Sequence, residues 1–255
     1  MRGLNDGAKR LCVSNLLHTW KADIVCLQKT KLDVVERAMV RSLWRCRYVD
    51  WLCLDSKGAS GGIIIMWDTR VVEKVEEAVG HYSVSCKFKV VSSGLVWGFS
   101  GVYGPLRAVE RRLMWEELEG VGAWWDVPWR VGGDFNTVRY PSERVGSSSF
   151  SPSMQDFLEF ISSMGFIDLP LEGGTTTWSN CHSKSRLDRY LVTPSLENHF
   201  SKLTQRRLPH IVSDHFPILL SCGFMQRGKS PFRFENMWLK GRGLHGQNPA
   251  VVELL

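Results

Sequence analysis

The residues best suited to chemistry sit at the ends of apolar runs. Gly132-Gly133-Asp134-Phe135-Asn136 follows Trp129–Val131. The glycines permit a tight backbone, and Asp134 and Asn136, two apart on an extended segment, would share one side. A carboxylate and an amide oxygen so placed suit a hard divalent cation, or one ligand beside one hydrogen-bond donor. The same D-x-N also makes a turn held by Asx hydrogen bonds. Ser185-Arg186-Leu187-Asp188-Arg189-Tyr190 embeds Asp188 in an apolar strand, where a carboxylate needs a histidine or arginine partner. Arg186 and Arg189 flank it, placed either to hold phosphates or to pair with carboxylates. Ser213-Asp214-His215-Phe216-Pro217 adds an Asp-His dipeptide before a further apolar run. Neighbours on a strand point oppositely, so Asp214 and His215 face one site only if the chain bends, as Pro217 would favour.

Both hydropathy periods occur in the elements that must position these residues. Ala8, Leu11, Cys12, Leu16 and Trp20 recur at helical spacing, and Val34–Trp44 reads as a second helix. Asp23–Leu27 is a short buried strand, and Gly61-Gly62 opens another at Ile63–Trp67. Ser83–Val91 alternates as a half-buried strand should, and Ser92-Ser93-Gly94 turns it into Leu95–Val102. Ala108–Leu118 is helical, and Trp129–Val131 is a strand running into a Gly-Gly turn. After the Ser-rich loop Pro141–Phe150, Ser151-Pro152 starts a helix with Met154, Phe157, Leu158, Ile161 and Met164 on its apolar face. Leu187–Val192 and Phe216–Ser221 are the last strands. Mixed α/β architecture follows, without a topology.

A chain of 255 residues, 44 % hydrophobic and 23 % charged, can bury a large core, which excludes disordered, collagenous and disulfide-stapled classes. Seven cysteines without a C-x-x-C pair read as thiols in a reducing compartment rather than a zinc site or disulfide framework. Apolar runs fall far short of the roughly 20 residues of a membrane span, and no apolar leader follows Met1-Arg2. An intracellular protein is expected, not secreted and without a membrane partner. Of the net charge of +6, most lies in residues 201–255, which carry eight Lys or Arg against Asp214, Glu235 and Glu253. That end suits a phosphate backbone or a solvated face. The eleven tryptophans read mainly as packing rather than as base-stacking platforms.

Six motifs follow one another: Gln28–Lys31, Val102-Tyr103-Gly104-Pro105, the G-G-D-F-N run, Thr176–Asn180, S-R-L-D-R-Y and S-D-H-F-P. The ordered set resembles the endonuclease/exonuclease/phosphatase (DNase I-like) superfamily over residues 1–223. It is most similar to the endonuclease domain of plant LINE-type retrotransposons. Pro231–Trp238, within residues 224–240, resembles the connector to a reverse transcriptase, and 241–255 is an unassigned tail. The resemblance implies a four-layer α/β/β/α sandwich of two packed mixed sheets, with the site at one edge. It implies Mg²⁺-dependent phosphodiester hydrolysis with DNA as partner and no small-molecule cofactor. His215 would contact the phosphate and share a proton, oriented by Asp188. Asp134 and Asn136 would position the attacking water, Asp214 would lie against the metal, and Tyr103 would touch the phosphate. Thr177 and Arg186 would contact substrate.

Two departures bear on the metal. The family pattern Gln-Glu-Thr is Gln28-Lys29-Thr30 here, with an ammonium at the position of the metal-binding carboxylate. Met1-Arg2-Gly3-Leu4 looks like the tail of an Asn-x-Arg-Gly-Leu motif, so the asparagine and the first strand are expected to be missing, leaving an open edge inside one sheet. Impaired hydrolysis is the expectation. The alternative is an inactive nucleic-acid-binding remnant in which the Lys29 ammonium stands where Mg²⁺ would be. A working enzyme would act in the nucleus.

Overall fold

The computed structural model describes residues 4–32, 34–56, 61–209, 213–224 and 251–254. Helix α1 (Gly7–Trp20) is capped by Asp6, whose side chain accepts from the Ala8 N–H, and leads into β1 (Ile24–Gln28). Helix α2 (Arg37–Leu43) and strands β2 (Val49–Leu54) and β3 (Ile63–Asp68) follow. A meander of β4 (Val72–Val79), β5 (Ser83–Val90) and β6 (Val96–Tyr103) ends at α3 (Ala108–Trp124). Strand β7 (Trp129–Asp134) then returns parallel to β6. After α4 (Pro152–Ser163) come the two-residue strands β8 (Ile167–Asp168), β9 (Leu171–Glu172), β10 (Trp178–Ser179) and β11 (Lys184–Ser185). The remaining elements are β12 (Asp188–Val192), α5 (Pro194–His199), β13 (Phe200–Arg207), β14 (Ile218–Phe224) and β15 (Val251–Leu254).

Period-two alternation decides which layer each side chain enters. On β1, Ile24 and Cys26 face the core between two sheets, whereas Val25 and Leu27 face the outer layer formed with α1 and α2. The seven-stranded sheet runs β2-β3-β1-β15-β14-β13-β9, and the six-stranded sheet runs β4-β5-β6-β7-β12-β8. Trp67, Phe88, Phe99, Tyr190 and Leu220 fill the space between them. Val13, Leu17, Val40 and Leu43 cover the first sheet, and Met114, Trp115, Phe157 and Ile161 cover the second. This is the expected four-layer α/β/β/α sandwich. Strand β4, at the edge of the six-stranded sheet, carries Glu73, Lys74, Glu76 and Glu77, a charge pattern that discourages further strand pairing.

Several boundaries differ from the sequence reading. Strands β2, β4, β8, β9, β10, β11 and β13 and helix α5 have no counterpart in it, and α2 is confined to Arg37–Leu43, with Val34, Val35 and Trp44 outside the helix. The Gly-Gly turn expected after Val131 is instead the end of β7. A Cβ at Gly133 would lie 2.0 Å from the Val102 carbonyl oxygen and 2.5 Å from Gln28 Nε2, at a φ of +149°, so this strand position requires glycine. The position inside the seven-stranded sheet, expected to stand open for want of a first strand, is filled by β15 from the otherwise unassigned tail. The connector Pro231–Trp238 and residues 1–3 of the N-terminal motif lie outside the described residues.

Among the described residues no disulfide joins two cysteines, and no helix is long and apolar enough to cross a membrane. Trp44, Trp67, Trp97, Trp115, Trp125 and Trp129 are buried, in keeping with a packing role.

Candidate active site

Strand register assembles the site before any side chain is considered. Tyr103 on β6 is the Cα partner of Asp134 on β7, which is the partner of Asp188 on β12. Paired positions project to one side, so two carboxylates stand next to each other at one edge of the six-stranded sheet, both fully buried. The opposing sheet brings Gln28 and Lys29 at the end of β1, and His215 just before β14. Gln28 Oε1 accepts from the Asp134 backbone N–H at 3.1 Å, fixing the two sheets to each other at the site.

His215 answers the need of Asp188 for a partner, its Nδ1 lying 3.0 Å from Asp188 Oδ2. Its other nitrogen, Nε2, lies 3.0 Å from Lys29 Nζ, and Lys29 Nζ lies 2.9 Å from Asp134 Oδ2. An ammonium has only donors, so Nε2 must accept and the ring proton sits on Nδ1, facing Asp188. Lys29 adopts φ +56°, a left-handed conformation uncommon for a side-chain-bearing residue, and its ammonium also lies 5.0 Å from the centre of the Tyr103 ring. Burial pulls the Lys29 proton affinity down, but Asp134 outweighs it and the net direction is up. Burial pushes the Asp188 carboxyl up, His215 opposes this, and neighbouring Asp134 adds to it. For His215, burial and Lys29 act downward while Asp188 and Asp134 act upward and prevail. A proton gained at Nε2 would therefore expel Lys29 from that nitrogen.

Asp134, Asp188 and His215 each present a ligand atom within 4.8 Å of the others, a spacing one cation could bridge. As they stand they do not fit a divalent ion. Lys29 holds the Asp134 oxygen and His215 Nε2, and Asp188 is held by His215. Lys29 places one positive charge between Asp134 and His215.

The other expected site residues divide into three groups. Tyr103, Asn136 and Asp214 line the same cleft as Lys29 and His215. Asn136 does not extend beside Asp134. At φ +48° its N–H donates to Asp134 Oδ1 and its side chain donates to the Gly104 carbonyl, so the Asx turn and the site are one structure. Asp214 is outside the three-residue cluster. The bend at Ser213–His215 turns it toward Trp178, whose Nε1 donates to its carboxylate at 3.0 Å. Thr177 and Arg186, expected to contact substrate, both have internal partners. Thr177 is fully buried, and its hydroxyl accepts from the backbone N–H groups of Leu187 and Asp188. Arg186 pairs with Asp168 and Glu143, and Arg189 with the same two carboxylates, so both arginines take the structural option. The positioning roles of Gln28 and Gly133 were not read from the sequence; the Gln28 motif position and the paired glycines were the available signals.

The chain is similar in fold to an AP endonuclease from Leishmania major, at 16 % identity and TM-score 0.67, over 85 % of this chain and 83 % of that one. It is likewise similar in fold to a mannosyl-6-phosphatase from Bacteroides thetaiotaomicron, at 18 % identity and TM-score 0.59, over 86 % and 91 %. The human Nocturnin catalytic domain with bound sulfate matches at 16 % identity and TM-score 0.56, over 85 % and 87 %. No curated protein matches the sequence. The endonuclease/exonuclease/phosphatase family matches residues 1–215, which include every residue of the cleft, and the chain belongs to that family.

Proposed function

We propose that this chain is a DNA-directed phosphodiesterase domain of the LINE-retrotransposon type whose hydrolytic step is suppressed by Lys29, leaving a phosphate-binding site. The observation that carries the reading is the Lys29 ammonium seated between Asp134 and His215. Family membership supports phosphoester chemistry, and the order of the six motifs supports the retroelement assignment. A nuclease as well as a phosphatase among the structural relatives leaves the substrate class to the basic charge of residues 201–255, which favours a polyanion over a small sugar phosphate.

In this reading Lys29 meets a phosphate oxygen from the cleft by charge. His215, oriented by Asp188, offers a proton-exchanging nitrogen beside it, and Tyr103 closes the rim. Mg²⁺ is the ion such a site would take once Lys29 is replaced by a carboxylate. The test is nicking of supercoiled plasmid, with Mg²⁺ and with EDTA, by the native chain, Lys29→Glu, and Lys29→Glu combined with His215→Ala. DNA binding is measured alongside. The native chain should bind DNA without nicking it, Lys29→Glu should recover Mg²⁺-dependent nicking, and His215→Ala should abolish that recovery. Native nicking equal to that of Lys29→Glu would refute suppression by Lys29, and absence of DNA binding by a folded native chain would refute the substrate.

A further inference from the structure

The seven-stranded sheet contains one position whose occupant is far from its neighbours in sequence. Strand β15 pairs parallel to β1, with Ile24, Val25, Cys26 and Leu27 opposite Val251 to Leu254. On its other side it pairs antiparallel to β14, with Ile218, Leu219 and Leu220 opposite Glu253, Val252 and Val251. Four residues thus complete two ladders in the middle of a sheet. Without them β1 and β14 would each present an unpaired edge, the condition that most invites another strand.

Nothing in the connection obliges this strand to come from the same copy of the chain. Antiparallel neighbours are ordinarily joined by loops of about 2–5 residues. Here residues 225–250 intervene between Phe224 and Val251. A stretch of that length can reach up to about 90 Å when extended, whereas the four positions from Leu220 to Phe224 span only about 13 Å along β14. The length of the covalent link therefore does not tie β15 to its own sheet, and its advantage over the identical segment of another molecule is one of effective concentration alone.

We propose that the gap between β1 and β14 is a strand-acceptor site, and that two copies of this chain associate by exchanging Val251–Leu254. The ladders formed across copies are the same as those formed within one, and mutual exchange closes a two-fold dimer in which neither sheet is left open. A covalent link of this length acts as an effective concentration in the millimolar range, so exchange should rise toward that concentration of chain.

The test uses the full chain and a dye-labelled peptide of residues 246–255. Sedimentation of the native chain should show a dimer that increases with concentration and is dissolved by excess peptide. A chain that stays monomeric up to millimolar concentration overturns the proposal, as does a dimer that the peptide leaves intact. Val252→Pro removes a backbone donor from the middle of β15 and should prevent its pairing. The variant chain should bind the native peptide at least tenfold more tightly than the native chain does, and a peptide carrying the same proline should bind neither. A folded variant that takes up no peptide also overturns the proposal. Where the variant does not fold, sedimentation of the native chain decides.

Discussion

Replacing Lys29 by glutamate tests the electrostatics of the site independently of catalysis. The change removes an ammonium 2.9 Å from Asp134 Oδ2 and places a third carboxylate beside two that are fully buried. At an effective dielectric of about 20, unit charges at this separation interact by about 6 kcal/mol. Desolvation offsets much of that, and removing one partner of a buried pair costs about 3–5 kcal/mol in practice. His215 Nε2 lies 3.7 Å from Asp134 Oδ2 and can recover part of the loss by taking a proton. A net destabilisation of about 2–4 kcal/mol is therefore expected in EDTA. A divalent cation should then reverse it, since a ligand at a hundred times its Kd stabilises the folded state by about 2.7 kcal/mol. Urea denaturation of both chains, with Mg²⁺ and with EDTA, measures both effects. The reasoning fails if Lys29→Glu is as stable as the native chain in EDTA, or if Mg²⁺ stabilises the two equally.

Three other substitutions separate scaffold from site. Burial alone would raise the Glu143 carboxyl, but Arg189, Arg186 and the Arg139 N–H hold it below its ordinary range. Its stabilisation is present above the unfolded value of 4.5 and is lost as pH falls through the depressed folded value. Glu143→Gln should thus cost about 2–4 kcal/mol at neutral pH, with the difference shrinking below about pH 4.5 in denaturation measured across pH. Thr177→Val leaves two backbone donors without their acceptor and should cost about 1–3 kcal/mol, while DNA affinity of the folded variant stays unchanged. A fall in DNA affinity without a fall in stability would restore Thr177 as a substrate contact. Gly133→Ala forces a methyl group against the Val102 carbonyl and Gln28, and should lower the melting temperature more than Gly120→Ala, where the added carbon meets nothing within 4 Å.

Much of the site was legible because its residues are chemically conspicuous in apolar surroundings. Asp188 inside a strand demanded a partner, and His215 is that partner. Lys29 declared itself by charge reversal within a motif. Thr177 and Arg186 make internal contacts that the sequence does not display, because a hydroxyl or guanidinium suits a substrate and a buried backbone or carboxylate equally well. Of the two readings of the D-x-N pair, the structure takes the Asx turn, because Asn136 leaves the strand through a left-handed conformation. Helix α4 was readable down to its Ser151 cap, which accepts from the Met154 N–H, because helix signals are local. Its buried Phe160 was the omission from the expected apolar face. Strand β15 was invisible for the opposite reason. Val-Val-Glu-Leu is too short to show a period, and its partners lie at positions 24–27 and 218–220.

The same pairing sets the order of events during synthesis. Ile24 emerges from the ribosome early, yet its neighbour Val251 arrives only after both sheets' other strands have been made. Contacts so distant in sequence form slowly, because a very long loop must close before any ladder energy is returned. Until then the nascent chain exposes the facing edges of β1 and β14, which leaves both open to non-native strand pairing.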